Sequence, residues 1–236
     1  SDSPFVPDPF GLCPAASKWE SNAIDKQLRP LLFWAAMHLT QSAENQAMKS
    51  VLISVTERIG DYAKDLLELL EQDWAEVELP AFFREPTERY ELEIWQQALA
   101  ASEDYFTVES REYRLLSLGI VVHHGRMPGL LARLLIQLID KRIVNLVLAT
   151  STLSEGVNLP FETVLIPSLN RWNVNSNSQQ PLNVGEFANL VGRAGRPGHG
   201  TEGRSLVILS QQGRTNTWQA RQKHQLYRSL LKSMQD

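Results

Sequence analysis

Short apolar runs that alternate with helical patterns constrain the fold of this chain more than any other feature. Five runs with the composition of buried strands lie at 51–55, 119–124, 143–150, 163–168 and 204–210. Between the second and third runs, apolar residues recur at helical spacing from Leu130 to Ile139, just after Pro128. Apolar strands that alternate with helices form right-handed βαβ units. The pattern therefore predicts an α/β domain with a parallel sheet covered by helices on both faces.

Further helical patterns flank and interrupt this domain. The run LLFWAAMHL after Pro30 predicts a helix with proline in its first turn. Apolar residues from Ile59 to Leu70 form one helical face, with Thr56 as the predicted N-cap. ELEIWQQALAA predicts a third helix, and the Asn-, Ser- and Gln-rich residues 173–180 predict a surface loop.

These patterns divide the chain into three parts. Residues 1–45 are expected to be an N-terminal extension and helix, serving as a linker from an upstream domain. Residues 46–212 are expected to form the α/β domain, with an acidic insertion at about 71–112. Residues 213–236 are expected to form a C-terminal helix. The chain begins with Ser1 and has no basic-then-apolar leader, so we expect it to be a piece of a longer protein.

Composition excludes several classes of protein. The chain is 43% apolar and 21% charged, which is typical of a soluble globular protein and not of a disordered or fibrous one. No run of eighteen apolar residues occurs, so no membrane span is expected. The single cysteine, Cys13, excludes a disulfide framework and a cysteine-based zinc site, and it favours a reducing, cytoplasmic location.

Charge is distributed unevenly along the chain. Residues 71–112 carry twelve acidic and three basic side chains, whereas residues 113–236 carry fourteen basic and six acidic ones. A basic half favours a polyanionic partner, because Lys and Arg displace counterions from phosphates. Charge alone favours the other interpretation, in which the acidic stretch is a solvated face.

Two arginines near the last predicted strand form a candidate phosphate site. Arg193 and Arg196 are three residues apart, so a helix would place both guanidinium groups on one face. Gly192 and Gly195 leave room for a ligand to approach the backbone. Forked cations of this kind suit phosphate oxygens, although they could equally pair with carboxylates.

Two other segments follow predicted strands. Small hydroxyl residues, among them Thr150 and Ser151, follow the third strand. They suit either a phosphodiester backbone or the cap of a short helix. His123 and His124 end the second strand, but no third ligand stands at metal-binding spacing, so no metal site is predicted.

The combination of these segments resembles a known family. ATSTLSEGVNLP at 149–160 and EFANLVGRAGRPG at 186–198 resemble motifs V and VI of superfamily-two helicases. VVHHGRMP at 121–128 resembles the segment between motifs IV and V in Ski-like or DEAD/DEAH-type helicases, and residues 51–70 resemble motif IV. The resemblance covers about 50–210 and implies a RecA-like fold, specifically the C-terminal, second RecA-like domain of an ATP-dependent helicase.

The resemblance implies a role for each matching residue. Arg193 and Arg196 would be catalytic arginine fingers on the ATP phosphates. The implied ATP-binding residues are Gly156, Asn158, Asn189 and Gly192. The implied nucleic-acid-binding residues are His124, Gly125, Thr150 and Ser151. Asn189 stands where family members usually carry glutamine, and its amide is shorter.

Two motifs of such an enzyme are absent from the sequence. The chain has neither a GxxxxGK[ST] phosphate loop nor a DExH-type acidic box. We therefore expect ATP and Mg²⁺ to be held mainly by a first RecA-like domain upstream, and the chain alone to be inactive. The expected partners are that domain and single-stranded or duplex nucleic acid, DNA or RNA. Two alternatives are a non-catalytic protein-interaction module that uses the acidic insertion, and a doubly wound enzyme that binds a nucleotide diphosphate.

Overall fold

A parallel sheet forms the centre of the chain, as the sequence predicts. The computed structural model describes residues 12–41, 47–56, 58–150, 159, 161–173, 177–195, 203–210 and 217–235. The strands in these ranges are β1 Val51–Val55, β2 Ile120–His123, β3 Leu146–Thr150, β4 Thr163–Ile166, β5 Asn170–Asn173, β6 Ser178–Pro181 and β7 Arg204–Val207. Five of them form a sheet in the order β2-β3-β1-β4-β7, and every neighbouring pair is parallel. The predicted RecA-like α/β fold is therefore confirmed.

Helices cover the sheet on both faces. They are α1 Ile24–Gln27, α2 Arg29–Thr40, α3 Ile59–Glu68, α4 Arg89–Phe106, α5 Arg111–Ser117, α6 Gly129–Asp140, α7 Val184–Val191 and α8 Trp218–Gln235. A 3₁₀ turn, Ser17–Glu20, precedes α1, and a π-helical turn, Leu69–Asp73, extends α3. Each long pattern predicted as a helix forms one, with its apolar stripe buried in the domain.

Alternate residues of each strand face two separate cores. In β3, Leu146 and Leu148 point to the core that contains α2 and α3. Val147 and Ala149 point to the core that contains α4, α6 and α7. The strands are apolar on both faces because the sheet is buried on both, as is usual for parallel sheets.

The beginning of α3 differs from the prediction. Arg58, with φ 48°, is the N-cap residue, and no side chain caps the helix. The prediction that Thr56 is the N-cap was wrong. Its hydroxyl donates a hydrogen bond to the carbonyl oxygen of Asn170, at 2.6 Å, and so ties the end of β1 to β5.

The polar stretch 173–180 is not simply a loop. β5 and β6 pair in antiparallel register, with Asn173 opposite Ser178 and Asn170 opposite Pro181. The loop prediction was therefore wrong for the strand residues in this stretch. The prediction used side-chain composition, which is polar here. Strand pairing depends on backbone hydrogen bonds, and composition does not predict them.

The acidic stretch 71–112 contributes to the core of the domain. Ile94, Trp95 and Ala98 of α4 are buried among the residues that cover the sheet. The helix α4 packs against α6 and α5. The stretch therefore contains, besides its acidic side chains, a helix whose apolar residues are part of the core.

Ion pairs attach the terminal helices to the sheet domain. Arg29 of α2 pairs with Asp65 of α3, and both side chains are buried. The ammonium group of Lys223 in α8 donates to the carbonyl oxygen of Pro167 at 2.6 Å and to a carboxylate oxygen of Asp25 in α1 at 2.9 Å. Within the ranges described, no helix is both long and apolar enough to cross a membrane.

Candidate functional site

The predicted site residues that the structure describes are divided between the carboxyl edge of the sheet, the helix α7 and the turn beyond α7. Thr150 is the last residue of β3 and is opposite Val55, the last residue of β1. His124 and Gly125 follow directly after β2, the strand on the other side of β3. Loops leave neighbouring parallel strands at the same edge, and ligands of such sheets bind there.

The helix α7 leads from the β5–β6 hairpin to the turn that carries Arg193. Its start is held by a capping box, in which the side chain of Asn183 accepts from the backbone of Glu186 and Glu186 accepts from Asn183. Glu186 also pairs with Arg171 of β5, with nitrogen and oxygen 2.9 Å apart. Asn189 of this helix is exposed. The capping box and the ion pair together fix the direction of α7 relative to the β5–β6 hairpin.

Arg193 lies beyond the end of α7. The helix ends at Val191 and Gly192 is its C-cap, so the prediction that Arg193 lies on a helical face was wrong. Ala194 forms a parallel bridge with Phe161. The amide of Gly195, at φ +85°, donates to the carbonyl oxygen of Phe161 at 2.8 Å. The backbone around Arg193 is therefore attached to the segment just before β4.

The side chain of Arg193 contacts the sheet directly. Its Nη1 donates to the hydroxyl of Ser54, at 3.2 Å, across 139 residues of sequence. Ser54 is buried in β1 and is opposite Ala149 of β3. A hydroxyl in an otherwise apolar strand thus accepts a hydrogen bond from a charged donor, which favours its burial. The guanidinium group therefore lies beside Ser54, the penultimate residue of β1.

A close backbone approach supports this turn. A Cβ built on Gly203 would lie less than 3.0 Å from backbone atoms of Ala194 and Gly195. Only glycine at position 203 lets the chain entering β7 pass so near the turn that carries Arg193. Sequence analysis did not single out Ser54 or Gly203. The one polar residue in VLISV was the available signal for Ser54.

Two adjacent histidines at the end of β2 have different surroundings. His123 is 6% exposed, and no residue in the described ranges forms a hydrogen bond with either of its ring nitrogens. Burial, together with the nearby charge of His124, lowers the pKa of His123 to about 4. His123 is therefore neutral at physiological pH.

His124 is half-buried and faces a more polar environment. Burial lowers its pKa; Glu112 opposes this shift and Arg126 reinforces it. The backbone amide of Arg126 donates to Nδ1 of His124 at 3.3 Å. A neutral ring with Nδ1 as acceptor carries its proton on Nε2, which then can donate to a ligand. In the described ranges, no three His, Cys, Asp or Glu residues are grouped so as to hold a metal ion.

Several predicted site residues fall outside the described ranges. They are Ser151, Gly156, Asn158 and Arg196. The structure brings Arg193 to Ser54 and places Thr150 and His124 on neighbouring strands. These placements do not test the roles predicted for the individual residues, which stay predictions.

Comparisons with known proteins point to one class. A stretch of 130 residues is 37% identical to "Uncharacterized helicase C17H9.02" of Schizosaccharomyces pombe, covering 53% of this chain and 12% of that protein. A stretch of 94 residues is 36% identical to "Antiviral helicase SKI2" of Saccharomyces cerevisiae, covering 40% of this chain and 7% of that protein. Another stretch of 94 residues is 34% identical to "ATP-dependent DNA helicase Hel308" of Aeropyrum pernix, covering 40% of this chain and 12% of that protein.

No family model matches the chain. The chain corresponds to a small part of each relative, because the aligned stretches span 7% to 12% of their lengths. The parallel sheet with helices on both faces is an α/β fold of RecA-like type. Together with these similarities it supports a partial superfamily-two helicase domain, and the relatives support an ATP-dependent helicase family.

Proposed function

We propose that this chain is the second motor domain of an ATP-dependent nucleic-acid helicase or translocase. The observation that carries the proposal is the contact between Arg193 and Ser54, which holds a permanent cation beside the penultimate residue of β1. The carboxyl edge of the same sheet carries Thr150 and His124. A cation that can bind phosphates and hydrogen-bond donors that can bind a nucleic-acid backbone suit such a domain. It would contact ATP on one side and a nucleic-acid strand on the other.

In this proposal the arginines act on the phosphates of ATP. Arg193 and Arg196 stabilise negative charge that develops on the transferring phosphoryl group, as arginine fingers do. Because Nη1 of Arg193 is anchored on Ser54, the orientation of the guanidinium group is set before ATP arrives. Preorganised donors cost little reorganisation at the moment of reaction. Gly156, Asn158, Asn189 and Gly192 contact the nucleotide nearby.

The donors at the ends of β2 and β3 hold the strand. Thr150 and Ser151 donate hydroxyl protons to phosphate oxygens, and His124 donates through Nε2 beside Gly125. Such contacts grip the backbone without reading bases. When the two domains close on ATP and reopen after hydrolysis, these contacts move along the nucleic-acid strand. This movement couples ATP hydrolysis to translocation.

Magnesium and most ATP contacts belong to a first RecA-like domain upstream in the same polypeptide. The sequence has no acidic box, and among the described residues no group of His, Cys, Asp or Glu side chains fits a Mg²⁺ site. The proposal therefore assigns no step of this chain to the metal. The chain alone is inactive in this account.

Replacing Arg193 tests the proposal. In the intact protein, Arg193→Ala is expected to lower ATP turnover by roughly 10³–10⁵, the range for arginine fingers. Arg193→Lys is expected to fail as well, because an ammonium group cannot keep the Ser54 contact and reach a phosphate at once. Arg133→Ala on the exposed face of α6 removes the same charge elsewhere and is the matched control. Wild-type turnover in a folded Arg193→Ala protein would contradict the assignment.

A further inference from the structure

Arg111 lies at the carboxyl edge of the sheet, although the sequence places it at the end of the acidic stretch. It is the first residue of α5, whose start is fixed by the N-cap Ser110, which accepts from the amide of Tyr113 at 3.1 Å. Nη1 of Arg111 donates to the carbonyl oxygen of Gly60, at 2.7 Å. Gly60 is the second residue of α3, shortly after the chain leaves β1. One guanidinium nitrogen therefore anchors Arg111 beside the exit of β1.

The same region borders the exit of β2. The helix α5 packs against both β2 and α3. Glu112, the neighbour of Arg111, lies near enough to His124 to influence its pKa. Arg111 thus lies between the end of β1, where Thr150 is paired with Val55, and the loop that carries His124.

The charge of Arg111 is not neutralised within the described part of the chain. No carboxylate there lies within 4.0 Å of its guanidinium nitrogens, and the side chain is exposed. Arg114, one turn further along α5, is different because it pairs with Glu71. An arginine anchored through a single nitrogen keeps its other donors for a ligand and loses less side-chain entropy on binding.

We infer that Arg111 contacts a backbone phosphate of the bound nucleic-acid strand, bridging the predicted contacts at Thr150 and His124. The inference rests on the proposed function and adds a residue that neither the motifs nor the acidic composition indicated. It also assigns the end of the acidic stretch to the strand-binding surface rather than to a docking face for proteins.

Binding as a function of salt tests this contact. The intact protein is titrated into a fluorescein-labelled oligothymidylate, and anisotropy is followed from 50 to 300 mM salt. Arg111→Gln is expected to weaken binding about threefold to tenfold at low salt. It should also reduce the slope of log K against log salt by about 0.7, the value for one phosphate contact on a single strand. Arg111→Lys keeps the charge and is expected to keep the slope.

Arg114→Gln is the matched control, because it removes one positive charge from the same helix. It is expected to leave the affinity and the slope unchanged. If Arg111→Gln lowers the unfolding temperature but keeps the wild-type slope, Arg111 only ties α5 to α3 and the inference is wrong. An equal loss of slope in both variants would also overturn it, since the effect would then be one of net charge.

A measurement on the unmodified protein does not depend on how the variants fold. Phenylglyoxal modifies exposed arginines, and mass spectrometry locates the adducts. The oligonucleotide is expected to protect Arg111 and not Arg114; equal modification of Arg111 with and without it would contradict the contact. Thr150→Val separates the two claims. If Thr150→Val weakens binding and Arg111→Gln does not, only this inference fails, whereas normal binding by both variants contradicts the proposed function itself.

Discussion

At the end of β2, the two histidines show how strongly the surroundings of a side chain decide its role. His123 points into the core with α4 and α6, while His124 lies at the edge with its Nδ1 fixed by Arg126. The residues alone identified the pair without separating its members, and only the resemblance assigned a role, to His124. His123 is therefore a structural residue, and His124 is the candidate for contact with nucleic acid.

The buried ring of His123 predicts an acid sensitivity. Its pKa is about 4 in the folded protein, below the usual value of 6.5, because burial disfavours the charged form. The unfolded chain therefore binds more protons between these values. The contribution of neutral His123 to the free energy of unfolding is complete above about pH 6.5, and it is lost as the pH falls toward 4.

Urea unfolding at pH 7 and pH 5 checks this prediction. The free energy of unfolding is expected to fall by about 2 kcal/mol more in the wild type than in His123→Leu. The difference between the two proteins isolates His123, because His38 and His124 titrate in both. An equal fall in both proteins would show that His123 is not the residue responsible.

Among the elements, those with a regular apolar period were predictable and those held by distant contacts were not. The five sheet strands and α2, α3, α4 and α6 follow from patterns within a few residues. The end of α7 and the β5–β6 hairpin depend on pairings with other segments, such as that of Ala194 with Phe161. The contact between Arg193 and Ser54 joins residues 139 positions apart, beyond the reach of any local pattern.

The turn between α7 and β7 gives a prediction at this scale. Gly203→Ala would push a methyl group into the backbone of Ala194 and Gly195. We expect a loss of about 1–3 kcal/mol in unfolding free energy, as for other overpacked sites, and a fall in ATP turnover because Arg193 is displaced. Gly129→Ala at the start of α6 is the control, since a Cβ there meets nothing within 4 Å. Calorimetry and turnover assays that found both variants alike would contradict this account of the turn.

In the proposed function, the whole molecule is one side of an active site. The proposal assigns its arginines and hydroxyl donors to phosphates, yet the sequence contains neither a phosphate loop nor an acidic box. In water, a charge pair at ~4 Å supplies only about 1 kcal/mol. A micromolar site requires about 8 kcal/mol. In the proposed function, the remaining binding energy comes from the upstream domain.

Calorimetric titration of this 236-residue chain with ATP and Mg²⁺, combined with a phosphate-release assay in the presence of single-stranded DNA or RNA, tests the central claim most directly. The account predicts no turnover and no ATP binding in the micromolar range. It also predicts weak nucleic-acid binding that decreases as salt rises. The same assays on the intact protein, with its upstream domain, are expected to show turnover stimulated by the strand. Micromolar ATP affinity or steady turnover by the isolated chain would contradict the claim that it holds only half of the active site.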